Sequence, residues 1–236
     1  MAIGIPKVPF YSPGEDNPVW ISVYDRLYSD RYLLLLKELD RELANQLIGL
    51  LTYYSLKEDD PRHFILVINS LGGVISPGLA VYDMMRVSPV WTRTYGLGVV
   101  ASTASFLLAA GQKPRRVAYP HTRILMHQPF QGFIEDQKKK DKEQDEDLET
   151  KRNPSIVNDF FEGMRNIYVL RTAMAEAYAE ETGHSAEEML EIINRNIIFT
   201  PIEAKEYRVI DYIPEPKDKE GGPPLKKEDR YRENNF

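Results

Sequence analysis

The chain has 236 residues, 42% hydrophobic and 28% charged, with 14 Gly, 16 Pro and no Cys, a composition that suits one globular core. The missing cysteine excludes disulfides, thiolate metal sites, iron–sulfur clusters and a Cys nucleophile. Acidic residues outnumber basic ones, 36 to 30, for a net charge of -6, so no basic surface is offered to a phosphate backbone and nucleic acid is not an expected partner.

The opening Met1 to Pro9 has too short an apolar run for a signal peptide and lacks the Arg/Ser-rich character of a transit peptide, so the expected protein works where it is made. Apolar runs such as Tyr32 to Leu36 and Phe64 to Ile68 fall far short of the roughly 20 residues that span a bilayer, and a mean hydropathy of -0.43 agrees; no membrane partner is expected. Phe64 to Asn69 reads as a buried strand. It is followed by Asn69-Ser70-Leu71-Gly72-Gly73, where a glycine pair lets the backbone turn and point amides at a ligand, or simply makes a tight turn.

Ser76-Pro77 supplies an N-cap and first-turn proline for a helix through about Arg86. Trp91 to Tyr95 reads as the next strand, turned by Gly96-Leu97-Gly98 into an apolar helix, Ala101 to Ala110, that Gly111 closes. Ser102 sits at this strand-to-helix junction beside free N-terminal amides, which suit a developing oxyanion; equally, Ser102 is a helix cap and Ser105 a small packing residue.

A nucleophilic serine needs a base, and the chain has four histidines. His63, His121 and His184 read as loop residues. His127 ends the strand Arg123 to His127, and Gln128-Pro129 stops that strand where the ring projects at the sheet edge.

From Glu135 to Asn153, fourteen of nineteen residues are charged, so the segment reads as an exposed insertion. Beyond it, Ile156, Phe160, Met164, Ile167, Leu170, Met174 and Tyr178 recur at helical spacing and predict one long helix. Ser185 with Glu188, and Thr200-Pro201 with Glu203, open two more helices as capping boxes. Pro214 to Phe236 has the Pro, Gly and mixed charge of a tail. Short strands alternating with helices predict an α/β fold of parallel strands and crossover helices.

Gly72-Gly73 after a strand, Ala101-Ser102-Thr103-Ala104-Ser105-Phe106-Leu107-Leu108, and Arg123-Ile124-Leu125-Met126-His127-Gln128-Pro129 together resemble the proteolytic subunit of the Clp protease family (ClpP). The opening Ile3 to Phe10, Arg26-Leu27-Tyr28 and Ala44 to Leu50 are most similar to the plastid-encoded form. The similarity runs to about Ile213, broken by the charged insertion at 135–153, and leaves 214–236 as a tail.

This resemblance implies a crotonase-like spiral of βαβ units with a protruding handle helix, in seven-membered rings stacked in pairs with other proteolytic and non-catalytic ring subunits. It implies a serine endopeptidase acting on unfolded polypeptides delivered by an Hsp100 ATPase, in the chloroplast stroma or, as second choice, a bacterial cytoplasm. Ser102 is then the nucleophile, His127 the general base, and the backbone N–H groups of Gly73 and Thr103 the oxyanion hole. No cofactor is implied for this chain; ATP is used by the partner, since the sequence holds no Gly-Lys-Ser/Thr phosphate loop.

Three departures stand out. Thr103 replaces the usual methionine, Leu71 replaces the proline before the glycine pair, and Asn196 in Asn194-Arg195-Asn196 holds the place of the triad aspartate. In an unrelated serine protease an Asp-to-Asn change at that point costs about ten-thousandfold, because Asn can favour the wrong imidazole tautomer. Two other readings are a structural ring subunit with a weakened triad and a crotonase-fold acyl-CoA enzyme, which would need neither Ser102 nor His127.

Overall fold

A computed structural model of the chain describes residues 4–11, 17–57, 62–128 and 154–215. The charged segment at 135–153 and the tail from residue 216 onward lie outside the described residues.

The described chain opens with an antiparallel hairpin, β1 (Lys7–Phe10) and β2 (Val19–Ser22), and a short helix, α1 (Val23–Ser29). The main body follows in the alternation that the sequence predicts: β3 (Tyr32–Leu35), α2 (Arg41–Ser55), β4 (Phe64–Ser70), α3 (Ile75–Val87), β5 (Thr92–Ala101), α4 (Thr103–Ala109), β6 (Arg116–Ala118) and β7 (Arg123–Met126). Then come α5 (Pro154–Thr182), α6 (Ala186–Asn194), β8 (Ile197–Phe199) and α7 (Pro201–Glu206). The six-stranded sheet runs β3-β4-β5-β7-β8, with β6 also paired to β5, so the α/β class holds. All its pairings are parallel except the last, because β8 returns antiparallel to β7.

β5 organises the sheet because it is long enough to serve three neighbours. Thr94 to Gly96 pair with β6, whereas Val99 to Ala101 pair with β7. The sequence placed a turn at Gly96-Leu97-Gly98; the strand instead runs through both glycines. Its register with β4 slips there, Gly96 facing Ile68 but Val100 facing Ser70, and Gly98 at φ +56° absorbs the irregularity. Pairing on both flanks thus overrides the local breaker signal, and the helix starts at Thr103.

Two other predicted boundaries shift for tertiary reasons. α3 begins at Ile75 with Val74 at its N-cap and no side-chain cap, so Ser76 is helical and not capping; the Val74 N–H is already held by the Leu39 carbonyl at 3.1 Å. Gly111 follows an α4 that ends at Ala109 with Ala110 as its cap. What requires a glycine there is packing, since a Cβ would collide with the Thr94 hydroxyl. The two predicted capping boxes form as read, at Ser185 with Glu188 and at Thr200 with Glu203.

The core gathers on α4. Phe106 is fully buried, its ring centroid 4.8 Å from Tyr82 of α3 and 5.2 Å from Tyr178 of α5. Full burial of side chains such as Phe106, Leu107 and Leu108 contributes about 1.5 to 3 kcal/mol each. The helix that follows Ser102 is therefore fixed on every side, and so is the junction that carries the hydroxyl.

Candidate active site

Four chain segments meet at one edge of the sheet. β4 ends there in Leu71-Gly72-Gly73, β5 in Ser102 and β7 in His127, while β8 begins there after Asn196. Strand ends in an open α/β sheet leave a crevice where ligands bind.

The glycine loop is held by backbone hydrogen bonds. Leu39 N–H donates to the Gly72 carbonyl at 2.6 Å and Val74 N–H to the Leu39 carbonyl, while Gly72 N–H donates to Ser70 Oγ at 3.0 Å. Gly72 has φ +96°, and a Cβ on it would stand 2.6 Å from both the Ala101 carbonyl and Ser102 Cβ. The loop therefore lies directly against the nucleophile candidate, and only glycine permits that approach. Thr103 Oγ1 donates to the Gly73 carbonyl at 3.0 Å, tying the start of α4 to the loop. Among the described residues the N–H groups of Gly73 and Thr103 donate to no carbonyl.

The sequence leaves Ser102 open between helix cap and reactive group. It occupies the N-cap position of α4, yet makes no side-chain cap hydrogen bond. Its backbone is at φ 55°, ψ -127°, a strained conformation for a residue with a side chain, held by a bond from its N–H to the Leu125 carbonyl at 2.9 Å. Such a strand-to-helix elbow presents a hydroxyl at the helix N-terminus without engaging it.

Ser105 is more than a packing residue. Its Oγ lies 2.6 Å from the Ser102 carbonyl, 2.9 Å from the Leu125 carbonyl and 2.9 Å from the Tyr178 hydroxyl. Having one proton, Ser105 donates towards the carbonyls and accepts from Tyr178. The phenol comes from α5 and burial pushes its pKa up, so it remains a neutral donor. This chain ties the long helix to the backbone beneath Ser102. Ser105→Ala strands a fully buried phenol and should cost about 1 to 3 kcal/mol, whereas Tyr178→Phe should cost only about 1 kcal/mol; urea unfolding of both variants checks the order.

His127 follows β7, half-buried, with Nδ1 2.7 Å from the carbonyl oxygen of Gln128. The parallel pairing Val99 with Arg123 through Ala101 with Leu125 places it on the strand end beside Ser102. No hydrogen bond joins the two side chains among the described residues. The other histidines lie elsewhere: His63 stacks on Trp91 with ring centroids 5.5 Å apart, His184 lies 3.5 Å from Glu188, and His121 is exposed before β7. Burial and the nearby Arg93 depress the His63 pKa.

Asn196 stands across from His127 by register, since Met126 pairs with Ile197 in the antiparallel β7–β8 ladder. It is exposed, at φ 51°, and makes no hydrogen bond to the ring among the described residues.

The Clp protease family model matches residues 14–217. The chain belongs to the Clp protease family. The ATP-dependent Clp protease proteolytic subunits of Buxus microphylla and Gossypium barbadense are each 37% identical to it over 213 residues, covering 90% of this chain and 96% and 98% of theirs. That of Drimys granadensis is 36% identical over the same length. This Clp protease chain is accordingly a serine endopeptidase with the fold the sequence implied. Proteases of this family need no cofactor, and among the described residues no cluster of His, Asp or Glu is placed to hold a metal ion. None of its described helices is long and apolar enough to cross a membrane.

Sequence reasoning missed three contributors: Leu39, whose backbone braces Gly73; the Ser105–Tyr178 link; and the Gln128 carbonyl. The first and third act through the main chain, which no residue type announces. The second joins positions 73 residues apart.

Proposed function

We propose that Ser102 and His127 carry out peptide-bond hydrolysis in this chain, with the Gly73 and Thr103 amides as the oxyanion hole. The observation that supports this most is the strained Ser102, its hydroxyl unengaged at the start of α4 and pressed against the glycine loop. His127 Nε2 takes the Oγ proton as Oγ attacks the scissile carbonyl carbon, and the two amides stabilise the resulting oxyanion. The imidazolium then protonates the leaving amine, the C–N bond breaks, and a water activated by the same ring releases the acyl group from Ser102.

The working unit in this proposal is one protease domain over residues 1–213, with 135–153 as a surface extension and 214–236 as a tail. It sits in stacked seven-membered rings with other Clp subunits in the chloroplast stroma. The relatives are named ATP-dependent; here an Hsp100-type partner uses that ATP and threads unfolded polypeptide into the chamber. The test is degradation of an unfolded protein by complex assembled with wild-type or Ser102→Ala chain, with the other subunits' nucleophiles removed. ATP-dependent cleavage should be seen with wild-type chain and lost with the variant. Cleavage that survives Ser102→Ala overturns the assignment.

A further inference from the structure

Resting on the reading of Ser102 and His127 just given, we infer that the backbone carbonyl of Gln128, and not Asn196, is the group that orients the His127 ring. The carbonyl oxygen lies 2.7 Å from Nδ1. A carbonyl has no proton to give, so the hydrogen bond exists only when Nδ1 carries one. In the neutral ring this leaves Nε2 with a free lone pair, the tautomer that a general base requires.

The acceptor is itself held in place. Gln128 N–H donates to the Ile193 carbonyl at 2.8 Å, tying the residue that carries the acceptor to the end of α6. The proline that follows in sequence restricts Gln128 to extended backbone. Asn196 faces His127 only through ladder register and makes no hydrogen bond to the ring among the described residues. An Asn amide donating to Nδ1 would force the proton onto Nε2, but Nδ1 is already engaged by the Gln128 carbonyl.

The Gln128 carbonyl is neutral, so it sets the tautomer but cannot compensate the imidazolium charge that forms during attack. A carboxylate opposite the ring would add only that second contribution. Asn196→Asp should therefore accelerate fluorophosphonate labelling of Ser102 by less than about 100-fold, well short of the ten-thousandfold that tautomer and charge together command. The acid limb of its labelling profile should move to higher pH, because the new anion stabilises the charged ring.

The direct test is solid-state 15N spectroscopy of histidine-labelled full-length chain in its assembled complex, with the His127 signals assigned by comparison with His127→Gln. Asn196→Gly serves as the second variant, since glycine adopts φ 51° without strain and removes the amide. The expected result is a neutral ring protonated at Nδ1 in both wild type and Asn196→Gly. Protonation at Nε2 in the wild type, loss of the Nδ1 proton in Asn196→Gly, or a gain near ten-thousandfold in Asn196→Asp would each overturn the inference. Absence of labelling on wild-type Ser102 refutes the protease assignment instead, and the tautomer spectrum still decides the role of Gln128.

Discussion

Gly73→Ala is expected to lower the rate of Ser102 labelling by a fluorophosphonate at least 100-fold while the Clp complex still assembles. At φ +152° a Cβ on residue 73 would run into the Leu39 carbonyl oxygen, with Leu39 C and N both 2.8 Å away. Leu39 cannot yield: its side chain is fully buried, and its N–H and carbonyl are bonded to Gly72 and Val74. Relief must come from residue 73, whose N–H is one of the two proposed oxyanion donors. Removing one such donor typically costs 100- to 1000-fold in turnover, or about 3 kcal/mol. Gly49→Ala is the control. Nothing lies within 4 Å of its added Cβ in α2, and an exposed helical Gly-to-Ala change should stabilise by up to about 1 kcal/mol with labelling unaltered. Equal labelling of Gly73→Ala and wild type would show that this amide does no work.

The largest loss of stability should follow Asp211→Ala. Arg116 is 2% exposed, and its guanidinium makes two parallel bonds to Asp211, Nε to Oδ2 at 2.9 Å and Nη2 to Oδ1 at 2.7 Å. Its Nη1 donates to the carbonyls of Ala109 and Glu181. The same guanidinium thus ties the end of α4 and the end of α5 to the segment after α7. Removing the carboxylate leaves a buried cation without its counter-charge, which costs about 3 to 5 kcal/mol. The exposed Arg195–Glu191 pair, 3.8 Å apart with both side chains more than 70% accessible, provides the contrast; Glu191→Ala should change stability by less than about 0.5 kcal/mol. Urea unfolding of the two variants against wild type reads both numbers. A cost below about 1 kcal/mol for Asp211→Ala would mean the guanidinium finds water or another partner.

Local signals were legible in the sequence wherever one element decides its own form. The capping boxes at Ser185 and Thr200 depend on side chains three residues apart, and both form. The apolar spacing from Ile156 to Tyr178 announced the long helix, found at Pro154–Thr182. What failed were boundaries set by distant partners: β5 runs through Gly96 and Gly98 because β4, β6 and β7 pair along it. The antiparallel return of β8 was equally hidden, since three residues such as Ile197-Ile198-Phe199 carry no direction.

The site divides in the same way. Ser102 and His127 could be named because a serine at a strand-to-helix junction and a histidine ending a strand are unusual placements, and resemblance supplied their pairing. That Ser105 braces the elbow through Tyr178 needed the packing of α5, and that a main-chain carbonyl holds the imidazole needed the conformation at Gln128.

In the proposed mechanism the hydroxyl of residue 102 is an activated nucleophile. Mass spectrometric mapping of a fluorophosphonate adduct on the assembled complex tests it most directly. An adduct is expected on the peptide containing Ser102, absent in Ser102→Ala and strongly reduced in His127→Ala. An unmodified Ser102 in a complex whose other proteolytic subunits are labelled would contradict it.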